Sequence, residues 1–373
     1  MNNEKVGNLL RVIAVILIAV LALCLIGATA HGGFLTPEDD DSTNADKEPD
    51  DENTPPPSQD TAPPDEDKPS DTEKEPEVVL PTFYSKLTGL AVSEEEYLKQ
   101  SLALVYSQGS ALYAVSSAEL VIEIPIDISS SRYIVYIKDY DSFGKLGTLA
   151  PARDNFLLLH NTFGGIFCAN GNDGNIRSNT RGTLHIDLKQ NSGYSYNESV
   201  LDTYSSGELI SKYIVDKQID LRQGSITTLP FLFSDEDVVG GGSCNIITLP
   251  HSDKLSTTLV FDKTSAKYKL TSLGKEQTDM LNGSCASFTN ALILFANSTT
   301  YERADLVETV IDTTSGGGGY YASLGGLTEI RWECDALGRI TFKTLTGESL
   351  YINRGNTYIG YFKASCAKDV KFE

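Results

Sequence analysis

The sequence predicts an α+β protein with two folded domains, which follow an apolar N-terminal segment and an acidic tether. With 373 residues the chain is long enough for two domains of ordinary size. Up to residue 237, β-prone runs alternate with helix-like segments, which is typical of a mixed α/β domain. Beyond it, runs typical of strands are separated by turns rich in Gly, Asn and Asp. We therefore predict an N-terminal mixed α/β domain over 83–237 and a mainly antiparallel, β-rich domain over 238–373.

The first 30 residues predict a membrane anchor or a signal segment. Lys5 and Arg11 precede Val12–Thr29, an uncharged run at the lower length limit of a membrane-spanning helix. Basic residues before the run and acidic residues after it place the bulk of the chain outside the cytoplasm. Three outcomes stay open: an uncleaved anchor, cleavage after Ala30 at an A-T-A site, and lipidation at Cys24. We predict a cell-membrane protein, single-pass or lipid-anchored, with its bulk extracytoplasmic.

Residues 31–82 predict a disordered tether. Ten of the 14 prolines lie between Pro37 and Pro81, and Thr36–Leu80 carries 17 Asp or Glu against 3 Lys. So few apolar residues cannot bury enough surface to offset the loss of chain entropy on folding. Proline and the repulsion between like charges keep such a segment extended. Since the rest of the chain is mildly acidic and has no basic patch, we expect no nucleic-acid partner.

The cysteines disfavour a metal or redox centre. Five lie beyond the apolar run, and none has the C-x-x-C spacing of a zinc ribbon or a redox motif. Because five is odd, they cannot form a complete disulfide framework, although one disulfide stays possible. We interpret most of them as small buried residues and expect no metal and no cofactor.

The elements follow from the spacing of apolar residues. In the first domain, runs rich in β-branched and aromatic residues predict strands at 102–106, 119–125, 132–138 and 166–169. Helical spacing predicts a short helix at Asn155–Thr162, with Asp154 as its candidate cap, and another at 206–216. In the second domain we predict strands at 245–250, 257–262, 291–295, 306–311, 319–322, 327–332, 339–342 and 357–362.

Four charged residues in the stretch Glu119–Asn155 form the candidate ligand-binding site. They are Glu123, Asp127, Arg132 and Arg153. Side chains two or four apart on a strand share a face, so we expect the two carboxylates on one side of the sheet. Arginine presents a planar fork that matches carboxylates and phosphates. The set therefore suits a zwitterionic or anionic ligand; the alternative is that the four groups pair with one another and fix a loop against the sheet.

Short motifs in a fixed order give the chain a family resemblance. They are L-T-G-L at Leu87–Leu90, A-E-L-V-I-E-I-P-I-D-I-S-S-S-R-Y at Ala118–Tyr133, G-T-L-A-P-A-R at Gly147–Arg153, L-P-F-L-F-S-D-E at Leu229–Glu236, F-D-x5-Y at Phe261–Tyr268, G-G-G-G-Y-Y at Gly316–Tyr321, E-I-R-W at Glu329–Trp332, and T-G-E through N-R-G-N-T-Y at Thr346–Tyr358. With these motifs the chain resembles the YerB-like family of bacterial envelope lipoproteins, whose molecular function is unassigned. The matches run from about Tyr84 to Phe362.

Three departures from the family pattern concern the candidate site. The family's Gly-Gly is Ile128-Ser129 here, and the first Arg of its R-S-A-R is Ala150. The family's V-H-x-G aligns with Cys168–Gly171, so its histidine is missing. The resemblance implies that this chain has lost part of whatever the family's site does.

The resemblance and the N-terminal segments together indicate a membrane-tethered, extracytoplasmic binding or accessory module of the cell envelope. Its expected partner is an envelope ligand or a membrane or envelope protein. Catalysis is disfavoured but stays uncertain, because the chain has no G-x-S-x-G, S-x-x-K or H-E-x-x-H motif. The alternative is a cell-wall-directed hydrolase that uses Glu123 and Asp127 as a glycosidase-like acid and base.

Overall fold

The described part of the chain covers residues 82–173, 184–200, 202–221, 229–303 and 306–373 of a computed structural model. The predicted anchor or signal segment at 1–30 lies outside these residues, and so does the predicted tether apart from residue 82. Within the described ranges, no helix is long and apolar enough to cross a membrane.

Strands dominate the described residues. They are β1 (Phe83–Tyr84), β2 (Ala91–Val92), β3 (Leu102–Ser107), β4 (Ala118–Pro125), β5 (Ser131–Ile137), β6 (Leu146–Gly147), β7 (Ile166–Ala169), β8 (His185–Asp187), β9 (Tyr196–Asn197), β10 (Thr203–Ser205), β11 (Leu232–Phe233), β12 (Gly242–Ser243), β13 (Ile246–Ser252), β14 (Leu255–Asp262), β15 (Lys267–Ser272), β16 (Lys275–Glu276), β17 (Ser287–Phe288), β18 (Asn290–Ala296), β19 (Ser298–Arg303), β20 (Leu306–Ile311), β21 (Gly317–Ser323), β22 (Gly326–Cys334), β23 (Ile340–Thr344), β24 (Tyr351–Ile352), β25 (Thr357–Lys363) and β26 (Lys371–Phe372). The α-helices among the described residues are α1 (Glu94–Leu98), α2 (Asp154–Phe163) and α3 (Gly207–Asp216), and short 3-10 turns lie at Val115–Ser117, Tyr140–Ser142, Ser192–Tyr194 and Ala364–Asp369.

Eleven strands form one central sheet, which we call the main sheet. Its order is β12-β22-β21-β18-β25-β4-β5-β3-β7-β8, and β23 pairs beside β22. The central strands are buried on both faces: in β4 only Glu119 is partly exposed, and in β5 only Arg132. This is why their sequences are nearly continuous apolar runs instead of alternating patterns.

The two faces of the main sheet carry separate hydrophobic layers. Alternate side chains of β4 and β5, such as Val121 and Tyr133, pack with Leu259 of a six-stranded second sheet of order β16-β15-β14-β13-β26, in which β17 pairs beside β15. The intervening side chains, such as Ile122 and Ile134, pack with α2 on the opposite face. A residue's parity along β4 or β5 therefore decides which of the two layers it enters.

The two longer helices begin and end where the local sequence allows. In α3, the Ser206 hydroxyl oxygen accepts a hydrogen bond from the Leu209 N–H, which is the usual N-cap interaction. In α2, the predicted helix at 155–162 is confirmed, but Arg153 occupies the cap position and Asp154 begins the first turn. That helix ends at Gly164, whose φ of 65° is reached most easily by glycine.

The predicted division into domains at 83–237 and 238–373 is corrected by strand pairing. In the main sheet β4, from the first predicted domain, pairs in parallel with β25, from the second, and aligns Leu120 with Thr357 and Glu123 with Gly360. All described residues belong to one compact unit, Pro76–Glu373. Since a shared sheet has one continuous set of backbone hydrogen bonds, the two parts form one folding unit and not two domains.

Most predicted strands are confirmed, and so is the β-rich character of the C-terminal part. The predicted strands at 102–106, 119–125, 132–138 and 166–169 correspond to β3, β4, β5 and β7. The pairings β13–β14–β15 and β21–β22–β23 are antiparallel, as predicted. The parallel pair β18–β25 is the exception, and it lies next to β4 where the two halves of the chain join.

Candidate functional site

The main sheet separates two of the four predicted site residues. Glu123 has the same parity as Val121, so it faces the second sheet and contacts Thr257 of β14. Arg132 lies opposite Ile124 in the β4–β5 register and shares the parity of Ile134, on the face that packs with α2. The candidate site is therefore not one cluster, and Glu123 must be considered apart from the arginines.

Glu123 is a fully buried carboxylate that accepts hydrogen bonds from three hydroxyl groups. Its Oε1 accepts hydrogen bonds from Ser131 Oγ at 2.6 Å and Thr257 Oγ1 at 2.8 Å. Its Oε2 accepts one from the Tyr358 hydroxyl at 2.6 Å. Burial and the charge of Glu123 raise the pKa of Tyr358 well above its usual value, so the phenol stays protonated and donates. These three bonds connect β4, β5, β14 and β25, which makes Glu123 a junction between the two sheets.

Two further polar groups near Glu123 lack a hydrogen bond within the described residues. His251 Nε2 lies 3.8 Å from Glu123 Oε1, and only 2% of the His251 side chain is exposed. The Tyr133 hydroxyl is also buried and unpartnered there. Burial lowers the pKa of His251, an effect that the charge of Glu123 partly offsets and that of Lys363 reinforces. His251 is therefore neutral at pH 7, and its contact with Glu123 is not an ion pair at that pH.

Asp127 caps a turn and does not join Glu123. Because β4 ends at Pro125, the predicted shared strand face of Glu123 and Asp127 does not form. The Asp127 carboxylate accepts hydrogen bonds from the N–H and the hydroxyl of both Ser129 and Ser130. Burial raises the pKa of Asp127, but these four bonds outweigh it and hold the pKa below its usual value.

Arg153 braces three segments of the chain and is largely buried, with 10% of its side chain exposed. Its Nη2 and Nε donate to Asp173 Oδ2 at 3.0 and 3.2 Å. Its Nη1 lies 3.3 Å from the carbonyl oxygens of Ile126 and Thr309 and 3.4 Å from Glu308 Oε1. For Arg153 the geometry favours the alternative hypothesis, in which the charged groups fix a loop against the sheet, because its guanidinium holds loops in this way.

Arg132 has a different environment from Arg153. Its side chain is half-buried, and no residue in the described ranges forms a hydrogen bond or an ion pair with its guanidinium. Burial and the nearby charge of Arg153 lower its pKa, while the carboxylates of Asp173 and Asp127 act in the opposite direction. We call Arg132, Arg153, Asp127, Asp173 and Glu308 the Arg132 cluster. In this cluster the Arg132 guanidinium is unpaired among the described residues. The carboxylates of Asp173 and Glu308 pair with Arg153, and that of Asp127 accepts bonds from the serine turn.

The histidines and cysteines offer no nucleophile pair in the described part of the chain. His160 of α2 is buried against the main sheet, where its ring contacts Phe167. Cys168 lies on the opposite face of that sheet, in the layer beside the second sheet. Burial raises the pKa of the Cys168 thiol, which disfavours the reactive thiolate. The described residues also contain no group of three or more His, Cys, Asp or Glu placed to hold a metal ion. Of the cysteines predicted to be buried, Cys168 and Cys244 are buried and the other three described ones are partly exposed, all as free thiols.

Several of the sequence motifs converge on Arg354, which sequence reasoning did not single out. Its guanidinium donates to the Gly89 carbonyl oxygen of the L-T-G-L motif and pairs with Asp235 of the F-S-D-E motif. It also lies over the Tyr84 ring, 4.6 Å from the ring centroid. The next residue, Gly355, donates its N–H to the Thr88 carbonyl oxygen at 2.7 Å. The position of Arg354 inside the N-R-G-N-T-Y motif was the available signal.

The glycine of L-T-G-L is required by a close contact. Gly89 has a φ of 65°, and a Cβ at this position would lie 2.4 Å from Cγ of Phe233. We expect Gly89→Ala to lower the free energy of unfolding by about 2–4 kcal/mol, the sum of left-handed strain and a displaced ring. Gly109→Ala is the matched control, because Gly109 has a φ of 76° and open space around it. Urea unfolding that gives equal losses for the two variants would show that the contact with Phe233 does not matter.

Two comparisons with known proteins find similarity, one to a segment of the sequence and one to the fold. Residues 247–359 match the profile of the family described as "Protein of unknown function (DUF3048) C-terminal domain". The crystal structure of the YerB protein from Bacillus subtilis matches with a TM-score of 0.67 and 21% sequence identity, over 78% of this chain and 99% of that chain. No curated protein matches the chain. The resemblance predicted from the motifs is thereby confirmed: residues 247–359 are similar to the DUF3048 C-terminal domain, and the fold is similar to that of the YerB protein.

Proposed function

We propose that the protein is a membrane-tethered, extracytoplasmic binding module of the bacterial envelope and that Arg132 binds the carboxylate of a zwitterionic ligand. The observation that carries the binding site is a half-buried guanidinium with no partner in the described part of the chain. Removing a charge from water costs free energy unless a counter-charge is supplied. A ligand carboxylate supplies it and accepts two parallel N–H bonds from the arginine fork.

The other members of the Arg132 cluster favour a zwitterion over a plain anion. Two carboxylates, those of Asp173 and Asp127, act on Arg132, and Glu308 lies beside Arg153. A dense polyanion brought to Arg132 would be repelled by these three groups. Asp173 is 46% exposed and is able to accept a bond from a ligand ammonium group beside the bound carboxylate. Amino-acid and peptide ends, which are abundant in the cell wall, have this pairing of charges.

The alternative hydrolase has weaker support from the same geometry. A glycosidase needs two carboxyl groups that flank the scissile bond in an open cleft. Glu123 is fully buried with three hydroxyl donors, and Asp127 is held by its own serine turn. Neither group is placed to protonate a glycan. The acid–base interpretation of this pair is therefore the less favoured of the two proposals.

Binding of muropeptides tests the proposed site. We expect a muropeptide fraction with free amino and carboxyl groups to bind the full chain, and Arg132→Ala to weaken that binding at least about tenfold. The stability of Arg132→Ala should change by less than about 1 kcal/mol, since the removed charge has no partner to lose. Isothermal titration calorimetry gives the affinity, and urea unfolding gives the stability.

Two controls separate the ligand from the surface charge. Arg331→Ala removes an exposed arginine from β22, which β21, β18, β25 and β4 separate from β5 in the main sheet, and it should leave binding unchanged. Muropeptides with amidated carboxyl groups should not bind. Equal binding by Arg132→Ala and the wild-type chain would disprove the site, and no binding of any muropeptide by the wild type would disprove the ligand class.

A further inference from the structure

The hairpin of β19 and β20 is hydrogen-bonded to the rest of the protein through the outer edge of β20. Thr309 of β20 donates its N–H to the Ile126 carbonyl oxygen at 2.8 Å. The Thr309 carbonyl oxygen accepts a hydrogen bond from Arg153 Nη1 at 3.3 Å. The Ile311 carbonyl oxygen accepts one from Asn155 Nδ2 at 3.2 Å. This edge of the hairpin is therefore fixed, whereas β19 has no strand neighbour except β20 in the described part of the chain.

Three residues of β19 direct their backbone groups away from β20. In an antiparallel pair, the N–H and C=O groups of successive residues point alternately towards the partner strand and away from it. Asn297, just before β19, faces β20, because its carbonyl oxygen accepts a hydrogen bond from the Asp312 N–H at 2.8 Å. The regular β19–β20 register then directs Ser298, Thr300 and Glu302 towards the free edge. No described residue forms a hydrogen bond with their backbone groups there.

The free edge of β19 lacks most of the features that prevent strand addition in other proteins. Such features are proline, lysine, a bulge or a very short strand at the edge. The sequence of β19, S-T-T-Y-E-R, has six residues without proline, glycine or lysine, and its register with β20 has no bulge. Its Thr and Tyr residues favour a strand. The side chains of Thr299, Thr300, Tyr301 and Glu302 are exposed, so another strand has access to this edge.

We propose that β19 is a dimerisation edge, at which it pairs in antiparallel orientation with β19 of a second copy of this chain. The pairing is centred on Thr300, which lies opposite Thr300 of the second copy. Ser298 of each copy then lies opposite Glu302 of the other, and all three outward-facing residues are hydrogen-bonded. A two-fold symmetric dimer requires such a reciprocal contact. The backbone hydrogen bonds supply the affinity.

The side chains favour this register over the two other symmetric ones that are centred on an outward-facing residue. Centring on Glu302 would place two like charges opposite each other and carry Ser298 beyond the end of the other β19. Centring on Ser298 would carry Glu302 beyond the start of the other β19. With Thr300 at the centre, Thr lies opposite Thr, Ser opposite Glu, and Thr299 opposite Tyr301. None of these pairs joins like charges.

The net charge of −21 does not prevent this contact. Thr36–Leu80 contributes −14 of it, from 17 Asp or Glu and 3 Lys, and lies outside the described residues. Glu302 is the only charged residue in Ser298–Glu302, and charges more than about 8 Å apart are largely screened at 0.15 M salt. One pair of edge strands covers less area than a standard interface of about 1,600 Å², so we expect a weak dimer.

Thr300→Pro tests the dimerisation edge on the full chain. Proline removes the outward N–H of residue 300, which the bonds between β19 and β20 do not use, and proline is tolerated at such an edge position. Thr300→Val is the matched control, since it keeps both the N–H and the branched Cβ. Sedimentation velocity in dilute detergent and 0.15 M salt, from about 5 to about 500 µM protein, measures association. We expect the wild type and Thr300→Val to dimerise over this range and Thr300→Pro to associate at least about tenfold more weakly.

Cysteine cross-linking tests the register independently. In the proposed pairing the two Cα atoms at position 300 lie about 5.5 Å apart, within the range of a disulfide, and the two at position 302 lie about 14 Å apart. Thr300→Cys should therefore form a disulfide-linked dimer under mild oxidation at least about tenfold faster than Glu302→Cys. The wild-type chain, with its own free cysteines, gives the background rate.

Several results would overturn the proposal. They are a wild-type chain that stays monomeric, equal association of Thr300→Pro and Thr300→Val, and cross-linking of Glu302→Cys as fast as that of Thr300→Cys. Slow hydrogen exchange of the Ser298, Thr300 and Glu302 N–H groups in a monomer would also overturn it, by showing that another part of the chain covers this edge. If circular dichroism shows that Thr300→Pro is unfolded, the cross-linking rates decide.

Discussion

Glu123→Leu is expected to lower the free energy of unfolding by roughly 3–5 kcal/mol. The substitution leaves the hydroxyl groups of Ser131, Thr257 and Tyr358 buried without an acceptor. Each such group costs about 1–3 kcal/mol when it loses its partner inside the protein. The loss is large because these three residues come from β5, β14 and β25, so one carboxylate connects the main sheet to the second sheet.

Two companion variants make the Glu123 prediction specific. Glu123→Gln keeps one carbonyl oxygen as an acceptor and should lose less stability than the leucine variant. Asp127→Asn, at the other predicted carboxylate, should cost about 1 kcal/mol or less, because an asparagine oxygen still accepts bonds from the Ser129 and Ser130 N–H groups. Urea unfolding at pH 7 measures all three. Equal losses for Glu123→Leu and Asp127→Asn would contradict the view that Glu123 joins the two sheets.

The strands were predictable from the sequence because their signal is local. L-A-L-V-Y in β3 is wholly apolar, and Y-I-V-Y-I in β5 consists of β-branched and aromatic residues. Such runs suit a doubly buried strand wherever it is placed. The helix α3 was predictable for the same reason, since its apolar spacing and its Ser206 cap lie within one short segment. Such signals identify the elements and do not say which strands pair.

The single folding unit was not predictable because its decisive contact is remote in sequence. The parallel pairing of β4 with β25 joins Leu120 to Thr357, and no local pattern specifies such a partner. The glycine run Gly240–Gly242 lies just after the predicted boundary between the two domains. In the structure Gly242 begins β12, which pairs with β22, and a Cβ on Gly240 would lie 2.3 Å from the Leu327 carbonyl carbon. Gly240 therefore permits close packing against β22, and the run is not a linker between two domains.

The charged residues of the candidate site were recognisable, but their partners were not. Arg153 and Arg132 look alike in sequence, yet Arg153 is paired with Asp173 and Glu308, and Arg132 is not. Asp173 follows β7, and Glu308 lies within β20. Nothing in the sequence connects either residue with Arg153. The predicted shared strand face of Glu123 and Asp127 is wrong because β4 ends at Pro125, between the two residues. Only the fold therefore separates the structural role of Arg153 from the binding role that we propose for Arg132.

Acidification from pH 7 to pH 5 is expected to destabilise the protein through His160. This residue is buried in α2, with Nδ1 3.1 Å from the Tyr136 hydroxyl and Nε2 3.3 Å from the Gly165 carbonyl oxygen. A carbonyl oxygen only accepts, so Nε2 carries the proton and Nδ1 accepts from the tyrosine. The neutral ring is fully satisfied in this arrangement. A second proton on Nδ1 would have to displace the tyrosine O–H inside the core.

The pKa of His160 gives the direction and size of the effect. Burial lowers it from 6.5 to about 3, the Gly165 carbonyl oxygen acts in the opposite direction, and the nearby His185 reinforces burial. Between these two values the unfolded chain binds a proton that the folded chain does not bind. The neutral ring of His160 therefore has no effect on the pH dependence of stability above pH 6.5. Below that pH the free energy of unfolding falls by about 1.4 kcal/mol per pH unit, or by about 2 kcal/mol at pH 5.

The slope of stability against pH tests this prediction independently of any loss at neutral pH. We expect His160→Gln to flatten that slope by about one bound proton between pH 6.5 and pH 5, even if the variant is less stable throughout. His185→Gln is the matched control: burial also lowers the pKa of His185, but Asp187 opposes the shift and the residue as a whole is partly exposed, so its slope should change less. Urea unfolding at several pH values gives both slopes. An unchanged slope in His160→Gln would mean that His160 does not govern the acid sensitivity, and the remaining buried histidine, His251 beside Glu123, would then be the group to replace.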